Sequence, residues 1–273
     1  VSGSSEIYSN LLKGLEKAVA QRPSCQQWRE FADGLSKIKR SMAPLQNVAG
    51  SIKVLMNASI PEDHINGFIK GFIMGLKAKE TMAPDAIAEI FVKAYRPKRI
   101  VTISYSSTVM ASLLAMPKDT AVLVAESLPL GEGAMTCRRL MDNGMNASLF
   151  RDSMMSSVVA KADLVLIGAD GVCPEGVVNK VGTRSLALAA LEKGKTVIVV
   201  CSTSKLIPVL EIDPVSSIRE IDGLVYHEDL FEISPLSLFG SIITEEGALS
   251  GNEMENRLLR DRGKMKNTEC EEC

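Results

Sequence analysis

The 273-residue chain has no apolar run of the roughly 18 residues that a membrane span needs. Its formal net charge is only −2 at pH 7, so the overall balance gives no reason to expect direct contact with nucleic acid. Histidine is scarce: His64 and His227 lie far apart, and neither is close in sequence to the single CxxC, Cys270 to Cys273. A metal site at that charged end would need further ligands, so none is expected. The six cysteines are scattered through an enzyme-sized chain, which fits reduced thiols better than a disulfide framework. The N-terminus lacks a basic and apolar signal pattern, and a cytoplasmic location is expected. There is no internal repeat or low-complexity segment. No GxGxxG follows the first β-rich run, which argues against a dinucleotide site, and no cofactor is expected.

Hydrophobic residues make up 46% of the chain, enough for a full core and for two domains. Residues 1–95 have helical spacing. Leu11, Leu12, Leu15 and Val19, then Trp28, Phe31, Ala32, Leu35 and Ile38, recur at intervals of three and four. Pro23, Pro44, Pro61 and Pro84 punctuate this part, which predicts four or five helices, one starting near Pro61-Glu62-Asp63. Phe68, Phe72, Ile73 and Leu76 form another apolar stripe, expected to pack.

From residue 96 onward short β-rich runs alternate with helical ones, which predicts parallel βαβ units and a doubly wound α/β sheet. Strands are expected at Arg99–Ser104, Ala121–Glu126, Ala147–Phe150, Leu164–Gly168, Thr196–Cys201 and Gly223–Tyr226. Helices are expected at Ser107–Ala115, Gly133–Asn143, Ser153–Ala160 and Thr183–Gly194. The last twenty or so residues of this domain, 96–273, read as a charged tail.

The most informative stretch runs from Asp163 to Thr183. Leu164 to Ile167 suit a buried central strand, and the Gly/Pro-rich loop that follows puts Asp170 at its carboxyl end, where open α/β sheets bind ligands. Asn179, Lys180, Gly182 and Thr183 are expected to open a helix whose free N–H groups can meet a phosphate. Two more loops should converge there: Ser104-Tyr105-Ser106-Ser107-Thr108, and Glu126 through Gly133. The hydroxyls of the first can cap a helix or bind an anion. Asp152 can cap the helix that follows it or reach a ligand hydroxyl. Cys173, three residues beyond Asp170, can be a small buried residue or present a thiol to the pocket.

These motifs resemble the initiation factor 2B alpha/beta/delta family. The resemblance rests on Gly168-Ala169-Asp170 with Asn179-Lys180-Val181-Gly182-Thr183, on Glu126-Ser127-Leu128-Pro129, and on Arg40-Ser41-Met42-Ala43-Pro44-Leu45-Gln46-Asn47. Phe231-Glu232-Ile233-Ser234-Pro235 and Ile242-Ile243-Thr244-Glu245-Glu246-Gly247 extend it. That family includes regulatory subunits of a translation factor, archaeal relatives, and isomerases acting on ribose-1,5-bisphosphate and 5-methylthioribose-1-phosphate. The resemblance implies an N-terminal helical domain followed by a Rossmann-like domain, dimerisation through the latter, and protein partners in translation. Val197–Val200 and Ile242-Ile243 suit either core or interface.

In the isomerases the resemblance implies a cysteine after the first sheet strand and an aspartate after the fourth. Asp170 matches the aspartate, but Ser104 stands where the cysteine would be. A thiol titrates near 8.5 and a serine hydroxyl far higher, so serine is a poor substitute for proton transfer. Ile103, Leu128 and Ser202 replace the histidine, arginine and glutamate of many members, and Lys205 matches the lysine after that glutamate. Arg40-Ser41-Met42 takes the place of the isomerases' phosphate loop and is similar to the translation-factor-like branch. The expected site is therefore Asp170 and Ser104 at its chemical centre, with Ser106, Ser107, Glu126, Asn179, Lys180 and Arg40 binding ligand. The expected function is a regulatory protein that binds a sugar phosphate or nucleoside monophosphate. The alternative is an aldose–ketose isomerase using Asp170 with Ser104 or Cys173.

Overall fold

The computed structural model describes residues 4–38, 42–58, 60–210 and 216–271. The chain begins with helices α1 (Ser4–Ala20), α2 (Cys25–Lys37), α3 (Ala43–Asn57) and α4 (Glu62–Ala94). A capping box starts α2: Ser24 Oγ accepts from the Gln27 N–H, and the Gln27 side chain accepts from the Ser24 N–H. Pro44 sits in the first turn of α3, where its missing N–H costs no helical bond. Pro84, expected to punctuate, instead lies inside α4, which continues through it. Tyr8, Leu12, Leu15, Trp28, Ala32, Ile52, Ile65, Ile69 and Ile73 form one core. Phe68 does not join it and is 54% exposed.

Beyond α4 come β1 (Arg99–Thr102), α5 (Ser107–Leu114), β2 (Ala121–Ala125), α6 (Glu132–Asp142), β3 (Asn146–Phe150), α7 (Met155–Val159) and β4 (Leu164–Ile167). Then follow β5 (Gly171–Cys173), β6 (Gly176–Lys180), α8 (Thr183–Glu192), β7 (Thr196–Val200), β8 (Ser216–Ile221), β9 (Leu224–Asp229), β10 (Phe231–Ser234), β11 (Ser241–Thr244), β12 (Gly247–Leu249) and α9 (Gly251–Glu271). The central sheet has the order β12-β11-β7-β4-β1-β2-β3 and is parallel except for β12. Alternate residues of each strand bury on opposite faces. Ile100, Val122, Leu166 and Ile198 meet α5, α6 and the end of α4, whereas Val101, Val165, Val199 and Ile242 meet α7, α8 and α9. The expected doubly wound α/β fold is thus borne out.

Three expectations need correction. Residues 171–180 form the hairpin β5–β6 rather than a loop and a helix start, and β6 also pairs with β10. Buried, β-branched Val172, Val177 and Val178 suit the extended chain, and helix begins only after Gly182, at φ +96°. Gly223–Tyr226 does not enter the central sheet. It belongs largely to β9 of a separate two-stranded ribbon, and β11 takes the sheet position beside β7. Ile242 and Ile243, with Val197 to Val200, are therefore core. Finally, the charged tail forms helix α9, held by buried Met254 and Leu258; Cys273 lies outside the described residues.

Candidate functional site

Strand order reverses at β1: the chain steps outward to β2 and β3 and then returns to place β4 on the other side. This creates a crevice at the carboxyl ends of β1 and β4, where such sheets bind ligands. A cavity of about 410 Å³ occurs there, lined by Ser104, Tyr105, Ser106, Ser107 and Thr108 after β1 and by Ala169 and Asp170 after β4. Asn179 from β6, Val200 at the end of β7 with Cys201 and Lys205 after it, Met135 and Arg139 from α6, and Glu6 from α1 complete the walls.

Ser104 is held in a left-handed conformation at φ +65°. Its N–H donates to Ser127 Oγ at 2.8 Å, its carbonyl accepts from Thr136 Oγ1 at 2.7 Å, and its hydroxyl donates to Glu132 Oε1 at 3.1 Å. Such a backbone is uncommon for a residue with a Cβ and persists only when its surroundings fix it, as these bonds do. Ser106 caps α5, accepting from the Val109 N–H at 3.3 Å. Gly168 allows that approach, because a Cβ there would fall 2.8 Å from Ser106 Oγ. Ser107 and Thr108 open α5 on the cavity wall.

Asn179 is 7% exposed and donates to Thr183 Oγ1 at 2.9 Å, and Thr183 donates to the Lys180 carbonyl at 2.6 Å. The Lys180 side chain does not line the cavity. It is buried, with Nζ 3.2 Å from Glu132 Oε1. Glu126 is also absent from the lining and pairs with Arg151. Arg40 lies outside the described residues. Of the expected site, the fold brings together Asp170, Ser104, Ser106, Ser107 and Asn179, and leaves Glu126 and Lys180 aside.

Asp152 neither caps a helix nor lines the cavity. Its two oxygens accept from the N–H groups of Ser127 and Leu128, each at 2.8 Å, and so brace the loop after β2. Cys173 is fully buried on β5 beside Ala43 and Ile207, and burial pushes its thiol up to about 11. It presents no thiol to the pocket. The cysteine that does reach the lining is Cys201, whose thiol burial pushes up to about 12. Among the described residues no group of three His, Cys, Asp or Glu side chains could hold a metal ion.

Sequence reasoning missed Glu132, Arg139 and Glu80. Glu132 stands in the first turn of α6, where an acidic residue has an ordinary role at the helix dipole, and this hides its contacts with Ser104 and Lys180. Glu80, from α4, accepts from Ser202 and Ser204, both at 3.3 Å, beyond β7. Burial raises its pKa, and the charge of nearby Lys205 offsets part of that rise. Nothing in the local pattern around residue 80 distinguishes it from a solvated helix face.

The Initiation factor 2 subunit family (IF-2B) matches residues 1–251. A translation initiation factor eIF-2B subunit 2-like protein of Pyrococcus furiosus is 30% identical over 228 residues, covering 81% of this chain and 80% of that one. The methylthioribose-1-phosphate isomerase of Trichoplax adhaerens is 32% identical over 180 residues, covering 58% and 49%. In fold, the chain is similar to the Pyrococcus horikoshii OT3 translation initiation factor eIF-2B, with TM-score 0.76, 24% identity and 90% of each chain covered. With a match that runs from the first helix into the start of α9, this chain belongs to the Initiation factor 2 subunit family.

Proposed function

We propose that the chain is a regulatory, initiation factor 2B-like protein whose cavity binds a sugar phosphate or nucleoside monophosphate without turning it over. The observation that carries this reading is the chemistry at the end of β1. A serine hydroxyl lines the cavity with Asp170, and the thiols of Cys173 and Cys201 are held far from the neutral range by burial. A pocket with a carboxylate and no thiolate near neutral pH keeps its binding groups and loses its proton-transfer partner. The site's place at the sheet's switch point and the hydroxyls at the start of α5 support a phosphorylated ligand. We further propose that the protein acts as a cytoplasmic homodimer with translation-factor partners and without a cofactor, and that it divides into a helical domain to residue 95 and a sheet domain after it.

A second reading, an aldose–ketose isomerase, is favoured by one contact. Ser104 donates to a carboxylate, Glu132, which gives its hydroxyl a proton acceptor 3.1 Å away. The test is calorimetry with ribose phosphates, methylthioribose phosphate and nucleoside monophosphates, with product analysis of every binder. Binding without product supports the regulatory reading. Ketose product that disappears in Asp170→Asn replaces it with the isomerase, and no binding removes the ligand altogether.

A further inference from the structure

Among the described residues three cations stand at or just behind the cavity, and two of them are already matched. Lys180 faces Glu132 at 3.2 Å, and buried Lys205 offsets the charge of Glu80. Arg139 is different. Among the described residues its guanidinium contacts only Tyr105, lying 4.8 Å over the ring centroid and bonding to the phenol oxygen, and it pairs with no carboxylate. Tyr105 lines the same cavity, so its ring and phenol oxygen orient a planar cation without a carboxylate partner at its wall. Besides Lys205, the other charges on that lining among the described residues are the carboxylates of Asp170 and Glu6.

We propose that Arg139 is the phosphate anchor of this site and that the site takes a ligand with one phosphate monoester, in preference to a bisphosphate. The proposal rests on the phosphorylated-ligand reading above. A guanidinium can give two parallel N–H bonds to one phosphate, and Ser107 and Thr108 add hydroxyl and N–H donors at the start of α5. A second phosphate finds its candidate lysines taken by Glu132 and Glu80, and meets Asp170 and Glu6 instead. Those carboxylates suit the hydroxyls of a sugar, which donate, and repel a further dianion.

The experiment is calorimetry of the wild-type chain and of Arg139→Gln with ribose 5-phosphate, adenosine monophosphate, ribose 1,5-bisphosphate and unphosphorylated ribose. Melting curves without ligand confirm that the variant folds, as its exposed position on α6 predicts. A charge-assisted bidentate contact corresponds to roughly ten- to hundredfold in affinity. Arg139→Gln should therefore weaken the better monophosphate by about that factor, with Arg139→Lys in between, and the bisphosphate should bind wild type more weakly than the monophosphate. A loss below about fivefold, or a bisphosphate that matches or exceeds the monophosphate, overturns this inference and leaves the phosphate pocket standing. If none of the phosphorylated probes binds better than ribose, the pocket reading fails and the anchor with it.

Discussion

Glu132 uses one oxygen, Oε1, for two partners: it accepts the Ser104 hydroxyl at 3.1 Å and faces the Lys180 ammonium at 3.2 Å. Its other oxygen is buried without a hydrogen-bond partner among the described residues, as is Lys180 Nζ apart from the ion pair. Removing one member of such a buried pair leaves the other charge uncompensated, whereas replacing both with apolar groups of similar volume is often neutral. Glu132→Ala should cost about 3–5 kcal/mol in urea denaturation. Glu132→Leu with Lys180→Met should recover most of it. A single-variant loss under about 1 kcal/mol would mean that water already screens the pair.

Glu80 gives the chain a pH dependence of stability opposite to that of an ordinary ion-paired carboxylate. Burial raises its pKa, so the folded chain still holds that proton at pH values where the unfolded chain has lost it. The folded state then binds more protons, and stability falls as pH rises from the ordinary glutamate value through the raised one. Glu80→Gln keeps an oxygen to accept from Ser202 and Ser204 and removes the titration. Urea midpoints measured across the mildly acidic range should lose that downward slope in the variant; identical profiles would remove Glu80 as its source.

The thiols should differ in reactivity. Cys173 and Cys201 are buried and shifted to about 11 and about 12, so at pH 8 only a minute fraction of either is thiolate. Cys25, at the first position of α2, is partly exposed. Brief treatment of the native protein with iodoacetamide, followed by peptide mapping, should modify Cys25 well before Cys173 or Cys201. Early modification of Cys201 would mean that the cavity wall opens readily.

Two glycines should respond in opposite directions to alanine. At Gly133 an added Cβ would lie 1.8 Å from the Ala125 carbonyl oxygen, so α6 must move off the end of β2, taking Glu132 with it. Gly133→Ala should destabilise by at least about 1–3 kcal/mol, the range for overpacking, and weaken ligand binding. At Gly34, inside α2, nothing lies within 4 Å of the added atom, and the helix gains up to about 1 kcal/mol. Thermal unfolding of both variants checks the contrast.

The alternation of apolar strands with amphipathic helices after residue 96 is enough to read the parallel sheet, since Leu164 to Ile167 and Val197 to Val200 are apolar on both faces, as a central strand must be. The hairpin of residues 171–180 is not legible in this way. Gly171, Pro174 and Gly176 look like loop residues; Pro174 does lie in the turn, and only pairing across Val172 and Val177 makes Gly171 and Gly176 strand. Ser104 and Asp170 can be placed because each follows a strand, whereas Asn179, expected to open a helix, reaches the cavity from the end of β6. Arg139 and Glu132 cannot be placed, because their roles depend on how α6 is rotated against β1 and β6, which charge patterning on a single helix does not encode. Lys180 misleads for the same reason: its sequence neighbours suggest a phosphate, and its spatial neighbour is a carboxylate.

Glu6 in the first helix and Lys205 beyond the seventh strand border the same cavity. Those two positions are separated by most of the chain, so the cavity has no complete wall until the loop at 205 has been synthesised and the first helix has packed against α4. On the ribosome, the early helices therefore emerge long before there is anywhere for a ligand to bind. Loop closure over that distance comes late relative to local helix formation.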